Sequence, residues 1–342
     1  KTDLLIFARI FFVRVDVLFG NIPCINSRCL IRRHRFTFLD KEGSACEENI
    51  SPQITSVKLQ LVTNSESSGC SSIGLANRVA CLDTVQLRQE LIPIWIRISA
   101  MTDRPLKDKT VLVTGAARRL GRMFALACAR AGADVVIHHA HSDTDAESLR
   151  VEIVSHGQRA WIFQSDLSDS FQAGKLIPLV NESTPVHFLV NSAAIFEPLT
   201  FDSTTIEAWE KHLALNLTAP FLLSQAFAKQ AEEGARIVNI LDWRALRPGA
   251  DHFPYTVSKS ALAAMTKSMA VALAPRITVN GLALGAILPP SDGRVSPDIT
   301  KNIPMKRWAK EDEVEQALLF LLTSPTFITG EILHVDGGRH LV

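Results

Sequence analysis

The stretch that most constrains the fold is TVLVTGAARRLGRMFALACARAGADVVIH, residues 110–138. An apolar run, Val111–Val113, leads into Thr114-Gly115 and then Ala116-Ala117-Arg118-Arg119-Leu120-Gly121. Apolar residues recur at helical spacing from Met123 to Ala131, and a second apolar run occupies Ala133–Ile137. Strand, tight turn, helix and strand in about thirty residues make a βαβ unit, with an anion site at the helix N-terminus. Gly115 and Gly121 let the backbone turn sharply and approach a pyrophosphate without a Cβ in the way. The competing reading is a glycine-containing turn in an α/β protein of another kind.

From Thr110 onward, short apolar runs alternate with longer amphipathic stretches. The pattern predicts strands at 110–114, 134–139, 160–164, 186–191, 236–241, 276–281 and 331–335. It predicts helices at 119–131, 143–156, 169–181, 205–231, 255–273 and 311–323. Regular β/α alternation implies one Rossmann-type, doubly wound parallel sheet of about seven strands with helices on both faces. Gly132, Gly157, Gly234 and Pro275 punctuate the joins. The segment 283–307 is long and irregular for a connection inside a compact domain, so it reads as a lid over a site.

A second constellation lies in IVNILDWRALRPGADHFPYTVSKSALAAMTKS. Asp242 ends an apolar strand-like run, Tyr255 stands thirteen positions on, and Lys259 follows four later. Tyr and Lys four apart on a helix project from one face. An ammonium beside a phenol favours the phenolate, so Lys259 is expected to lower the pKa of Tyr255 and make it a proton donor. Tyr255 is the only tyrosine in the chain.

Together the two constellations resemble the short-chain dehydrogenase/reductase family, with its pattern T-G-x3-G-x-G, N-N-A-G, Ser and Y-x3-K. The resemblance spans essentially all of 103–342 and includes Asn191-Ser192-Ala193-Ala194, Asn216 and Asp336-Gly337-Gly338. Arg119 stands where the family has its middle glycine, and Asp242 where it has its serine. Both departures are similar to pteridine reductases, as are Phe196, matching the aromatic on which those enzymes stack the pterin, and the closing Gly-Gly-Arg-His-Leu. Ser192 replaces the second Asn of N-N-A-G, and Leu284 takes the place of a Pro-Gly pair.

The resemblance implies roles. Tyr255 donates the proton, Asp242 polarises it or completes a relay, and Lys259 also binds the nicotinamide ribose. Asn216 holds a water that links Lys259 to solvent. Arg119 reaches both the cofactor phosphate and the pterin, and Phe196 covers the ring. The implied cofactor contacts are Gly115, Arg118, Arg119, Leu120, Gly121, His141, Ser142, Asp166, Leu167, Asn191, Ser192, Ala193, Tyr255 and Lys259. The substrate contacts are Arg119, Phe196, Asp242 and Tyr255. Blander readings stand beside these: Asn216 as a helix-interior residue bonded to backbone, Phe196 as core packing, and Trp243 as either pocket wall or packing. Ser168 reads equally as a helix N-cap beside Asp166.

NAD-specific folds carry an acid at the end of the second strand for the ribose hydroxyls. Here the segment reads Ile137-His138-His139-Ala140-His141-Ser142, and no acid occurs before Asp143. With Arg118 close by in the turn, this favours a 2′-phosphate and therefore NADP(H); the alternative is a solvated strand end bearing three histidines.

A net charge of +1 gives no bulk reason for a nucleic acid or an anionic membrane as partner. Arg118, Arg119 and Arg122 read instead as phosphate ligands. Residues 1–100 differ from the rest. They hold five of the six cysteines, no methionine and no sustained periodicity. Leu4–Gly20 is interrupted by Arg9, Arg14 and Asp16, so it fails as a membrane span. The expectation is an atypical extension at 1–100, disordered or not genuinely translated, with Met101 as the start and a reductase domain over 101–342; a small accessory domain is the alternative. Cys128 reads as a small core residue, no spacing suggests a metal site, and a reduced cytoplasmic enzyme is expected. The enzyme is expected to be a homotetramer or homodimer through the helices at 205–231 and 255–273, acting on a pterin. The alternatives are a 3-oxoacyl-type carbonyl reductase and a non-catalytic dinucleotide-binding regulator.

Overall fold

In this computed structural model of the 342-residue chain, the described residues are 12–19, 22–23, 28–32, 35–39, 45–46, 57–61, 104–289 and 299–342. The chain divides into two compact units, Lys1–Cys81 and Leu82–Val342. In the first, β1 (Phe12–Phe19) pairs antiparallel with β2 (Ile22–Pro23), β3 (Arg28–Arg32) and β6 (Val57–Leu61). There β3 also pairs with β4 (Arg35–Leu39), and β4 with β5 (Ala45–Cys46). Periodicity alone does not announce these strands. Of the early cysteines, Cys24, Cys70 and Cys81 lie outside the described residues, as does Met101.

In the second unit β7 (Thr110–Val113), α1 (Arg119–Arg130), β8 (Asp134–His139), α2 (Asp143–Ser155), β9 (Ala160–Gln164) and α3 (Ser170–Asn181) alternate strictly. Then come β10 (Phe188–Asn191), α4 (Ile206–Leu213), a π-helical turn Ala214–Thr218, α5 (Ala219–Gln230) and β11 (Ala235–Asp242). A short turn Trp243–Ala245, α6 (Phe253–Leu273), β12 (Ile277–Leu284), α7 (Glu311–Thr323), β13 (Ile332–Val335) and a last turn Arg339–Leu341 complete the unit. All seven strands of this sheet are parallel, in the order β13-β12-β11-β10-β7-β8-β9.

Successive residues of each strand enter opposite cores, because side chains alternate across a sheet. Val111, Val113, Val135, Ile137, Val190 and Val238 meet Phe124, Cys128, Leu149, Ile153 and Leu318 on one face. Leu112, Val136, Leu189, Ile237 and Val279 meet Ile177, Leu223 and Phe227 on the other. Both faces are dry, which is why the strands read as unbroken apolar runs. Cys128 sits fully in the first core, and burial pushes its thiol up to about 12. No helix among the described residues is long and apolar enough to cross a membrane.

Most boundaries shift by one or two residues, and three features depart further from expectation. The single helix expected over 205–231 is interrupted by the π turn at Ala214–Thr218. Helix α3 is capped by Asp169, whose carboxylate accepts from Phe171 N and Gln172 N, so Ser168 is not its N-cap. Strand β12 runs on through Leu284, because Gly281 is no break: a Cβ there would lie 2.6 Å from Leu241 Cδ1, so the glycine admits a core side chain. Of the expected lid, residues 290–298 lie outside the described residues, whereas Gly285 N and Met305 N are anchored on Val335 O and Gly337 O.

The chain leaves β7 toward β8 and β9, then crosses to β10 on the other side. In open α/β sheets such a reversal leaves a crevice at the carboxyl ends of the strands. Thr114-Gly115, Asn191–Ala193 and Asp242 all come to that edge.

Candidate active site

The glycine turn is built too tightly for side chains. Gly115 has φ +65°, and a Cβ on it would lie 3.0 Å from Ala193 Cα. A Cβ on Gly121 would lie 2.1 Å from Gly115 O. Arg119, at the middle glycine position of the resembled pattern, keeps the left-handed backbone a glycine would have, φ 52°, at a cost of about 1–2 kcal/mol. Thr114 locks the far wall: its hydroxyl accepts from Ser192 N at 2.9 Å and Ala193 N at 3.0 Å.

His138 does the corresponding work on the near side, a role sequence reasoning missed. Its Nδ1 accepts from Gly115 N at 3.1 Å, and its Nε2 lies 2.9 Å from Ser165 O, so the neutral tautomer carries its proton on Nε2. Its own carbonyl accepts from Ala116 N at 2.8 Å. Burial lowers its pKa from 6.5 to about 4. One imidazole thus stitches the glycine turn to the strand that ends beside Asp166 and Leu167. His139 is also buried and accepts from Ser142 N at 3.2 Å, so neither residue belongs to a solvated strand end.

The basic residues of the turn separate. Arg118 is exposed and pairs with Asp145 at 2.5 Å. Arg119 donates to Pro289 O at 2.7 Å, bridging the turn and the loop after β12. Arg122 is no phosphate ligand: its guanidinium binds Glu152 at 2.6 Å and Asp145 O at 3.3 Å, clamping α1 to α2. Leu120, the second residue of α1, packs partly buried against the first core, and His141 and Ser142 stand at the β8–α2 junction; the Ser142 side chain makes no cap bond. Asp166 accepts from Ser168 N and Oγ, which hold its carboxyl below the usual carboxylate range. The Asn191 side chain turns away from the crevice, donating to Asn239 Oδ1 at 2.8 Å and Ser224 Oγ at 3.3 Å.

Asp242, Tyr255 and Lys259 come together. The Tyr255 hydroxyl donates to Asp242 Oδ2 at 3.4 Å, and its ring is 7% exposed. Lys259 Nζ donates to Ile240 O at 2.7 Å and lies 5.9 Å from the Tyr255 ring centroid. Burial raises the Asp242 carboxyl, opposed by Arg244 and Lys259. Burial and then the Asp242 charge hold the Tyr255 phenol well above its ordinary 10. Burial also lowers Lys259 to about 8. The expected lowering of the phenol by Lys259 is therefore not met, because burial and the Asp242 charge raise it.

Asn216 sits in the π turn, where its amide donates to Ile195 O and Ser258 Oγ and accepts from Ile195 N at 2.9 Å. Its side chain ties the π turn to the Phe196 loop and to α6. Phe196 is 52% exposed, so it is not core packing; His252 stacks on it at 3.9 Å and 7°, and Tyr255 meets it edge-on at 4.6 Å. A flat ring thus already rests on one face of Phe196. Arg244, which sequence reasoning passed over, joins the cluster: it pairs with Asp251 at 2.7 Å and Asp242 at 3.5 Å, and stands over Trp243 and Phe196. Only its place two residues after Asp242 could have signalled it.

Comparison with known proteins decides the family. Residues 115–340 match the family model described as Enoyl-(Acyl carrier protein) reductase. The chain belongs to the short-chain dehydrogenase/reductase family. Among curated relatives of this chain, a 3-oxoacyl-[acyl-carrier-protein] reductase from Synechocystis sp. is 32% identical over 240 residues, covering 68% of this chain and 97% of the relative. Among solved structures, FolM alternative dihydrofolate reductase 1 from Brucella canis, complexed with NADP, is 31% identical with TM-score 0.65, covering 70% of this chain and 96% of that one. A short-chain dehydrogenase from Burkholderia cenocepacia in complex with NADP is 32% identical with TM-score 0.66, covering 69% and 99%.

Proposed function

We propose that the chain is an NADPH-dependent reductase of a dihydropterin or pterin, with Tyr255 as proton donor. The observation that carries this reading is the buried Asp242 within reach of the Tyr255 hydroxyl, at the position where the resembled pattern has a serine. A carboxylate accepts hydrogen bonds, so it suits a substrate that presents N–H groups, as a pterin ring does. The similarity to the FolM structure supports the same class.

The glycine turn and the N-terminus of α1 fit a pyrophosphate, because a Cβ at Gly121 would fill the cradle. Arg118, His141 and Ser142 would meet a 2′-phosphate, and Arg119 would exchange Pro289 O for a phosphate oxygen. When bound, the nicotinamide supplies the hydride. The protein's own part is the proton. Tyr255, kept as a phenol by its surroundings, donates to the substrate nitrogen, and Asp242 holds the phenol and the adjoining ring N–H. The phenolate left behind is favoured by the Lys259 charge and takes its proton back from solvent. The exposed Phe221 on α5 and Val271 on α6 support a homo-oligomer through these helices.

A second reading is favoured by the curated relatives: a 3-oxoacyl-type carbonyl reductase. In that case a protonated Asp242 would donate to the carbonyl. NADPH oxidation with dihydrobiopterin and dihydromonapterin beside an acetoacetyl thioester separates the two. Turnover on a pterin that collapses in Asp242→Ser supports the pterin reductase; turnover on the thioester alone overturns it.

A further inference from the structure

The C-terminal turn carries a cation that the reading above does not use. Arg339 opens this turn, which packs on Trp243–Ala245 immediately after Asp242. Its guanidinium carbon lies 4.3 Å from the Trp243 ring centroid, and that of Arg244 lies 4.8 Å from the same ring. Two cations share one indole, yet they differ in their partners. Arg244 is held by Asp251 and Asp242. The partly buried Arg339 guanidinium meets no carboxylate and no hydrogen-bond acceptor among the described residues.

Asp336, three residues before Arg339, is already committed: it accepts from Gly338 N and from His340 N and Nδ1. Arg247 adds a further cation behind Arg339, donating to Arg339 O at 3.3 Å. Burial and the Arg244 charge both work against the Arg339 cation, while Asp242 and Asp251 favour it, which places it within electrostatic reach of the reacting groups. A guanidinium stripped of part of its water and left without an anion gains most from a carboxylate that can take its two-pronged fork. Stacking on the indole holds that fork in place.

We infer that Arg339, backed by Arg247, is a subsite for a carboxylate carried on the side chain of the substrate whose ring is reduced beside Asp242 and Tyr255. The inference rests on the pterin reading and extends it to pterins that bear an acidic tail. A pterin with a neutral tail binds the same ring site without this contact.

The test uses the full chain and two dihydropterins that share the ring: dihydrobiopterin, with a neutral tail, and dihydrofolate, with a glutamyl tail. In Arg339→Met the ratio of kcat/KM for dihydrofolate to that for dihydrobiopterin falls about tenfold, chiefly through KM for dihydrofolate. Arg339→Lys restores part of the ratio, because it returns the charge without the fork. Equal losses on both substrates would make Arg339 a mere support for Trp243 and overturn the subsite, as would an unchanged ratio. If the wild-type chain reduces neither dihydropterin, the pterin reading falls separately. The ratio is then taken between acetoacetyl-coenzyme A and its neutral N-acetylcysteamine analogue. A fall there sustains an anion subsite for another substrate, and no change overturns it.

Discussion

Replacing His138 by leucine tests the claim that one buried imidazole holds the cofactor turn. The change leaves Gly115 N and Ser165 O without their partners at 3.1 Å and 2.9 Å. Two buried polar groups left unpaired cost about 2–5 kcal/mol near neutral pH. A second route to the magnitude is linkage. The imidazole has its pKa lowered from 6.5 to about 4 in the folded chain, so the unfolded chain binds the proton first as pH falls. The contribution of His138 is therefore complete above pH 6.5 and is lost between 6.5 and about 4. At roughly 1.4 kcal/mol per pH unit, that interval amounts to about 3 kcal/mol, in line with the first figure. Urea unfolding followed by tryptophan fluorescence, run on wild type and His138→Leu between about pH 7.5 and about pH 4.5, reads the difference directly, since other titrating groups are common to both. The expected outcome is a stability gap that narrows steadily with acid. A gap independent of pH would refute the reasoning, because it would mean that the ring is already charged or makes neither bond.

Tyr255→Phe removes the proton donor, and kcat is expected to fall about 10²–10⁴-fold; a variant keeping more than about a tenth of wild-type activity would end the assignment. Gly121→Ala places a methyl 2.1 Å from Gly115 O, so the turn must open and NADPH affinity should fall at least about tenfold in a fluorescence titration. Unchanged affinity would show that the turn does not hold the cofactor. Arg244→Met takes away the largest influence opposing the raised Asp242 carboxyl and frees Asp251 from about 2 toward its ordinary 3.8. The acid limb of the kcat/KM profile should then move to higher pH, and a limb that stays or moves down contradicts the proposed charge balance.

Much of the fold was legible because it rests on periodicity. Strands 134–139 and 160–164 and helix 311–323 coincide with expectation to the residue. What escaped is what periodicity does not encode. The π turn at Ala214–Thr218 interrupts an otherwise regular apolar stretch without a glycine or proline inside it, and is marked only by Asn216 reaching across to Ile195. Such turns gather at functional sites, where a tertiary bond outweighs the helix ladder. Arg122 was misread for a related reason: a basic residue near a phosphate turn looks like a phosphate ligand until Glu152, thirty positions on, is brought beside it. His138 went unseen because a buried histidine inside an apolar strand has no sequence signature apart from its neighbours.

The reacting groups were easier to identify than their protonation states. Spacing alone places Tyr255 and Lys259 on one face, but the direction of each shift is set by burial. Because Lys259 is drawn to Ile240 O, the positive charge nearest the Asp242 carboxyl is that of Arg244, which is itself shared with Asp251. Asp242 is thus a largely buried acid with a divided counter-ion, and burial wins: its carboxyl rises, and the neighbouring phenol is held well above its ordinary range. A phenol that keeps its proton until the substrate takes it is suited to reduction, which takes up one proton for every hydride delivered.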